Sequence, residues 1–314
     1  MRFDDQRESD NIDDQRGSGG GMGFGGGGFG GGGGLLPMLL GLVLGRKLGC
    51  GTIVLLGVAF LVFGGLGGLG GLLGGGGGGS VGPQVQIGQP AGQYETPAAG
   101  TTRGQESSTD SFVRKVLGST EDVWAKVFPE QVGKAYQNPR LVLFSGSTQS
   151  GCGGAESAMG PFYCPADRKV YLDESFFDEL QTRFGAKGDA AAAYVIAHEI
   201  GHHIQQLIGV ADQVRSAQER ASERQRNALS VKLELQADCF AGVWAKQSGR
   251  LEAGDVEEAV TAAQAIGDDT LQRQSRGQVV PDSFTHGSSA QRVQWLQTGL
   301  NSGQMESCNT FAGS

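Results

Sequence analysis

Two histidines and a glutamate in the segment Ala197–His203 carry the clearest chemical pattern of this sequence. The segment reads A-H-E-I-G-H-H, so His198 and His202 are four residues apart. On an α-helix that spacing places both imidazoles on one face, one turn apart, where they can hold one zinc ion. Glu199 is rotated away from the ligand face and can reach a metal-bound water without binding the metal itself. We predict His198 and His202 as metal ligands and Glu199 as the catalytic base.

The surroundings of this motif favour a metal site over incidental histidines on an exposed helix. Residues 190–197 are apolar and helix-favouring, and the chain has only 4 histidines, of which three lie in the motif. His203 points about 100° away from its neighbour along the helix. We therefore predict that His203 packs or forms hydrogen bonds and does not bind the metal.

A catalytic zinc ion needs a third protein ligand and one open position. The stretch L-E-L-Q-A-D-C-F-A-G places Glu234 and Asp238 four residues apart in apolar surroundings, although a solvated acidic face would have the same spacing. We predict Glu234 as the third ligand. Asp238, one turn further on, is predicted to accept the second ring N–H of a liganding histidine and so to fix its tautomer.

The remaining histidine, His286, stands apart in the segment T-H-G-S-S. A developing oxyanion needs a hydrogen-bond donor in addition to the metal. We predict His286 for this role, with Tyr163 and Tyr171 as rivals. The alternative is a surface histidine that precedes the last helix.

The elements that must position these residues are mainly helical. Hydrophobic periodicity and composition give a mainly α domain with a small antiparallel β-sheet, of the α+β class. The strand Lys169–Leu172 either pairs with an extended substrate or completes the sheet. The predicted helices cover 110–128, 187–208, 212–247, 254–274 and 288–300, and the predicted strands cover 141–144, 162–164 and 169–172.

Composition divides the chain into four parts. Residues 1–47 combine a charged, solvated tail with a Gly-rich tract, and residues 74–108 form a flexible linker. Residues 48–73 carry no charge and are long enough for one transmembrane helix, with a cleaved signal peptide as the alternative. Residues 109–314 have the mixed composition of one folded domain.

The distribution of charge predicts an orientation in the membrane. Arg46 and Lys47 precede the apolar stretch, and the next basic residue is Arg103. The positive-inside rule places the N-terminus in the cytoplasm and the domain 109–314 in the periplasm or outside the cell. The formal net charge is -8 and no basic cluster follows residue 47, so nucleic acid is not expected as a partner.

Four cysteines, at positions 152, 164, 239 and 308, lie in the predicted domain. An even number beyond a membrane segment is typical of two disulfides in an oxidising compartment, with free buried thiols or a cysteine metal site as alternatives. Among the three pairings, Cys152–Cys164 with Cys239–Cys308 needs the least loop closure, and we expect it.

The motifs together resemble a known group of enzymes. H-E-I-G-H followed by E-x-x-x-D resembles the gluzincin branch of the zinc peptidases, whose thermolysin-like members use two histidines and a glutamate. Over nearly its full length the chain resembles a bacterial family of neutral zinc metallopeptidases. The resemblance is carried by RESDNIDD, MGPFYCPAD, AHEIGHHIQ, ELQADCFAGVW and HGSSAQR.

The resemblance implies a zincin-like fold, a Zn²⁺ cofactor and a peptide or protein substrate cleaved outside the cytoplasmic membrane. Zinc would acidify a bound water whose proton Glu199 accepts. Two other functions stay open at this point: a zinc-stabilised scaffold without activity, and a zinc amidase acting on cell-wall material. Manganese and cobalt also suit two imidazoles and a carboxylate.

Overall fold

Eight α-helices and six β-strands make up the parts of the chain that the structure, a computed structural model, describes: residues 1–16 and 108–312. The predicted mainly helical α+β class with a small sheet is confirmed. The helices are α1 (Ser108–Val132), α2 (Ser175–Thr182), α3 (Asp189–Ile208), α4 (Val210–Gln218), α5 (Glu223–Ser248), α6 (Asp255–Ala265), α7 (Asp268–Arg276) and α8 (Ser289–Ser302). The strands are β1 (Ile12–Asp14), β2 (Arg140–Phe144), β3 (Ser147–Ser150), β4 (Gly153–Glu156), β5 (Phe162–Cys164) and β6 (Lys169–Asp173).

Two of the predicted helices are each divided in two. The predicted helix 212–247 breaks because Ser222 begins a new helix with a reciprocal cap. Its side chain accepts from the backbone of Gln225, whose side chain accepts from the backbone of Ser222. The predicted helix 254–274 breaks at Gly267, whose backbone is extended between α6 and α7. The short helix α2 was not predicted.

The main sheet contains all three predicted strands in the order β1-β2-β6-β5. The expectation of an antiparallel sheet is wrong for most of it: β1 pairs with β2 and β2 with β6 in parallel, and only β5 runs antiparallel to its neighbour. A separate hairpin joins β3 and β4. Because β6 lies between β2 and β5, it completes the sheet and offers no edge to a substrate. The free edge near the predicted site is β5.

The charged start of the chain is part of this fold and not the solvated tail that we predicted. Residues 12–14 form strand β1, and Met1 and Phe3 are 8% and 7% exposed within the core. The charges that suggested a tail find partners on the domain, because Arg7 pairs with Glu121 at 2.8 Å. Residues 1–16 therefore belong to the same folded body as residues 108–312.

The end of the N-terminal segment lies close to the start of the domain. Arg16 pairs with Asp110 at 3.2 Å, and β1 and β2 are hydrogen-bonded neighbours. The predicted Gly-rich tract from residue 17, the transmembrane helix 48–73 and the linker up to residue 107 lie outside the described residues. Within residues 1–16 and 108–312, no helix is long and apolar enough to span a bilayer.

Close helix packing and two disulfides hold the centre of the domain. A Cβ at Gly201 of α3 would lie 2.8 Å from the backbone oxygen of Ala237 on α5, so only glycine allows this approach. The expected pairing of cysteines is present, with Cys152–Cys164 beside β5 and Cys239–Cys308 between α5 and the C-terminal turn. The two helices that carry the predicted metal ligands are thereby brought into contact.

Candidate metal centre

Helix α3 presents the histidine motif from inside the domain. The run Ala190–Ala193 and the following apolar residues bury the first half of the helix, which ends where Gly209 adopts a left-handed backbone with φ of 82°. His198 is 6% and Glu199 7% exposed, while His202 is half-buried. The motif thus lies on an inner face with access from one side.

The structure brings His198, His202 and Glu234 together. The Nε2 atom of His198 lies 3.2 Å from one Glu234 oxygen, and Nε2 of His202 lies 3.5 Å from the other. Ligand atoms about 2.1 Å from a tetrahedral zinc ion are about 3.4 Å apart, which agrees with both distances. The two imidazole rings are nearly perpendicular, at 89°, with centroids 4.8 Å apart.

The donor set fits zinc on chemical grounds as well. Two imidazole nitrogens and one carboxylate are the ligands of a catalytic zinc site with one position left open. Among the described residues, one further group of three acidic side chains, Asp189, Asp255 and Glu258, is close enough to hold an ion. The amino group of Met1 lies between two of these carboxylates, at 2.8 and 2.9 Å, and forms an ion pair with each.

Asp238 lies behind His198, in the position predicted for it. Its Oδ1 is 2.8 Å from Nδ1 of His198, so the ring can donate there and keep its Nε2 lone pair for the metal. Burial lowers the pKa of His198, but the carboxylates of Asp238 and Glu234 outweigh this and raise it to about 10 in the metal-free chain. Metal binding must therefore displace a proton.

Two residues that the sequence analysis missed complete the surroundings of Asp238. Arg292 of α8 donates to both of its carboxylate oxygens, each at 2.9 Å, and the Tyr194 hydroxyl donates at 2.6 Å. Tyr194 precedes His198 by four residues, so its place on the same helix face was open to prediction. Arg292 closes the segment HGSSAQR, but nothing in its local sequence indicates which carboxylate it meets.

The second histidine ligand is also held from behind by a residue that was missed. Nδ1 of His202 lies 2.9 Å from Oε1 of Gln205. The amide of Gln205 in turn donates to the backbone oxygen of Leu233 at 2.6 Å, next to the Glu234 ligand. This bond ties the orientation of one ligand to the backbone that carries another.

Glu199 is buried on the motif helix and is not part of the group of three ligand atoms. The backbone of Tyr163 in strand β5 favours its charged form. Burial raises the pKa of Glu199 above its ordinary value, against the lowering effect of His202 and His198. A raised pKa brings a carboxylate closer to the range in which it can both accept and return a proton.

His286 lines the same cavity as the three ligands and Glu199. Asp268, at the start of α7, accepts the backbone N–H of His286 at 2.6 Å and lies 3.3 Å from its Nδ1. The hydroxyls of the two rival tyrosines are engaged elsewhere: Tyr163 meets His203 at 3.1 Å, and Tyr171 donates to Asp167 at 2.7 Å. The structure thus places His286 at the cavity, whereas both tyrosine hydroxyls form hydrogen bonds with other residues.

His203 behaves as predicted for a packing residue. Its Nε2 lies 2.6 Å from the backbone oxygen of Gln137, and its Nδ1 meets the Tyr163 hydroxyl. Burial lowers the pKa of His203 to about 4, so it is neutral at physiological pH. It supports β5 from below, because Tyr163 is the central residue of that strand.

A cavity of about 490 Å³ opens beside the ligands, within the usual range for binding pockets. Apolar side chains from α2, β5 and the neighbouring turns line part of the cavity. Residues of α4, α5 and α7 line another part and are mainly polar. The apolar part includes Met159, Pro161, Phe162, Phe176 and Phe184.

Comparison with known proteins identifies relatives over the whole chain. The profile of the family described as "Putative neutral zinc metallopeptidase" matches residues 1–311. The uncharacterized protein YpfJ of Escherichia coli strain K12 is 46% identical over 317 aligned residues, which cover 100% of both chains. The uncharacterized protein Rv2575 of Mycobacterium tuberculosis strain H37Rv is 41% identical over 208 residues, or 62% of this chain and 68% of its own. No solved structure matches the chain significantly.

Proposed function

The chain belongs to the neutral zinc metallopeptidase family, with Zn²⁺ as its cofactor, and from this premise we propose that it is an endopeptidase that cleaves extended polypeptide segments. The observation that carries the proposal is the position of Glu199. Its carboxylate is buried beside three residues suited to hold zinc, on a helix that contacts the edge strand β5. A peptide bond lying along that edge would reach both the metal and the base.

The chemistry divides between the metal and the chain. His198, His202 and Glu234 would hold the zinc ion, which would supply Lewis-acid chemistry for the scissile carbonyl and for a water molecule. Glu199 accepts the proton of the attacking water and passes it to the leaving amine nitrogen. His286 donates a hydrogen bond to the oxyanion that develops on the carbonyl oxygen.

Strand β5 supports the extended conformation of the substrate. It is one of the two edge strands of the described four-stranded sheet, and a peptide can add to such an edge through backbone hydrogen bonds. The neighbouring cavity can then receive one side chain of the peptide. Its apolar part, which contains three phenylalanines, favours a large apolar side chain at that position.

The test replaces Glu199 by Gln, which keeps the shape of the side chain and removes its basicity. We expect zinc content to stay at the wild-type level and cleavage of an unfolded protein substrate to fall by about 100-fold or more. Glu130→Gln, an exposed change on α1, serves as the matched control and should leave cleavage unchanged. Cleavage by Glu199→Gln at the wild-type rate would show that the base is elsewhere.

The substrate class is tested on the same protein. Incubation with peptides and with peptidoglycan fragments, followed by mass spectrometry of the products, should give peptide-bond cleavage only in the peptides. Products from cell-wall amides alone would make the protein an amidase. Zinc binding with no product from either substrate would make it a scaffold.

We also propose that the folded body lies outside the cytoplasm. Two disulfides support an oxidising compartment, and the shared sheet requires residues 1–16 to be on the same side as residues 108–312. A membrane-impermeant maleimide should label Asp10→Cys and Gln278→Cys equally in intact cells, with the wild-type chain as background. Labelling of Gln278→Cys alone would instead support a single membrane crossing between residues 16 and 108.

A further inference from the structure

Arg292 is buried beside the metal centre without taking part in any of the predicted roles. It is 3% exposed and lies on α8, which supplies none of the predicted ligands. Its Nε and Nη2 atoms donate to the two oxygens of Asp238 in a bidentate arrangement, each at 2.9 Å. Nη2 also lies 3.2 Å from the Tyr194 hydroxyl.

Asp238 needs these partners because of where it lies. Its side chain is fully buried, and a carboxylate removed from water is stable only when its oxygens are paired and hydrogen-bonded. Oδ1 accepts from His198, Tyr194 and Arg292, and Oδ2 accepts from Arg292. The fork of the guanidinium fixes both oxygens at once, so it sets the rotation of the carboxylate.

We propose that Arg292 is a positioning residue for the metal: it fixes Asp238, and Asp238 fixes the ring of His198 so that Nε2 faces Glu234. Tyr194 completes the arrangement from the helix that carries His198. The inference rests on the ligand assignment made above and not on peptidase activity. It assigns a role in metal affinity to a helix that contributes no ligand.

A simple charge argument predicts the opposite effect. Arg292 is a cation near a site for a doubly charged ion, so its removal should strengthen zinc binding if charge repulsion dominated. If positioning dominates, removal weakens binding, because His198 loses its fixed orientation and tautomer. Loss of such outer partners typically costs about 10–100-fold in metal affinity. The sign of the change therefore separates the two explanations.

The experiment measures zinc affinity by competition with a chromophoric chelator, using the full chain and no substrate. We expect Arg292→Gln to bind zinc about 10–100-fold more weakly than wild type. Arg292→Lys keeps the charge without the fork and should also be weaker, and Tyr194→Phe should show a smaller loss. Thermal unfolding of the zinc-free proteins, followed by circular dichroism, records any general loss of stability.

Glu121→Gln provides a matched control for the loss of a buried ionic contact. Glu121 is 2% exposed and accepts from Arg7, Ser9 and Asn11 away from the metal centre. This variant should unfold at a lower temperature with unchanged zinc affinity. If the Arg292 variants behave in the same way, Arg292 is structural only and the proposal is overturned.

A double variant tests the proposed order of the contacts. In an Asp238→Ala background the carboxylate that joins Arg292 to His198 is absent, so adding Arg292→Gln should weaken zinc binding by less than about twofold. Additive losses would contradict the proposed order of contacts. A wild-type chain that binds no zinc would overturn the ligand assignment together with this inference. A chain that binds zinc but cleaves nothing would overturn only the peptidase function.

Discussion

The packing of residues 1–16 against the domain leads to a direct test by splicing. A variant that lacks residues 17–107 and joins Arg16 to Ser108 through six Gly/Ser residues should fold and bind zinc. Six residues reach about 20 Å, and the ion pair between Arg16 and Asp110 at 3.2 Å keeps the two ends closer than that. The β1–β2 pairing then forms as it does in the full chain.

The size of the effect follows from the length of the connection. Replacing the 91 residues from 17 to 107 by six lowers the entropic cost of closing the loop by about 2 kcal/mol. For a domain of this size that corresponds to a rise of about 5 °C in the unfolding temperature. A version with a 24-residue linker should gain about half as much.

The opposite result is expected when residues 1–107 are removed altogether. This truncation leaves β2 without one of its two neighbours and removes the buried side chains of Met1 and Phe3. Losses of that kind cost about 2–5 kcal/mol each, against a total stability of about 5–15 kcal/mol. The truncated chain should be unfolded or close to it at 37 °C.

Urea and thermal unfolding, followed by circular dichroism with and without zinc, compare the full, spliced and truncated chains. A spliced chain that is unfolded or less stable than the full chain would refute the proposed path of the chain. A truncated chain as stable as the spliced one would show that the N-terminal residues do not support the domain.

Three further predictions concern the metal centre itself. Zinc binding at pH 7 should release about one proton, because His198 without metal has a raised pKa and must lose a proton to bind. Calorimetry in buffers of different ionisation enthalpy checks this, and no release would contradict it. Gly201→Ala should lower the free energy of unfolding by about 1–3 kcal/mol and weaken zinc binding, as measured by urea unfolding and chelator competition. Gly154→Ala, whose Cβ would meet only a side-chain nitrogen at 3.7 Å, should change neither quantity. His286→Ala should reduce kcat by about 100-fold or more in steady-state assays with KM and zinc content nearly unchanged, and a change in KM alone would assign His286 to substrate binding.

The three predicted ligands and Asp238 could be predicted from the sequence because they form two local pairs. His198 with His202, and Glu234 with Asp238, are each separated by one helical turn, and the identity of such pairs does not depend on tertiary structure. Arg292 could not be found in this way. Its partner lies 54 residues earlier on another helix, and only the packing of α8 against α5 brings the two together.

The start of the chain shows a different limit of sequence reasoning. Residues 1–16 are strongly charged, which is typical of a solvated tail, and they are separated from the domain by a Gly-rich stretch. Their acids and bases are instead matched to buried or half-buried partners such as Glu121 and Asp110. Composition records the charge of a segment but not the position of its partners, so the parallel β1–β2 pairing was missed.

The motif H-E-I-G-H contains two predicted ligands and a predicted base. It also contains the glycine that sets how closely helix α5 can approach α3. Gly201 faces the backbone of Ala237, which lies between Glu234 and Asp238 along α5. Where α5 meets α8, glycines at 242 and 299 likewise allow backbone contact, and α8 carries Arg292. The helix separations are therefore set by backbone contacts that no side-chain rotation can relax. It follows that the ligands need little reorganisation to meet the metal, and that a methyl group at one of these glycines disturbs the centre without touching a ligand.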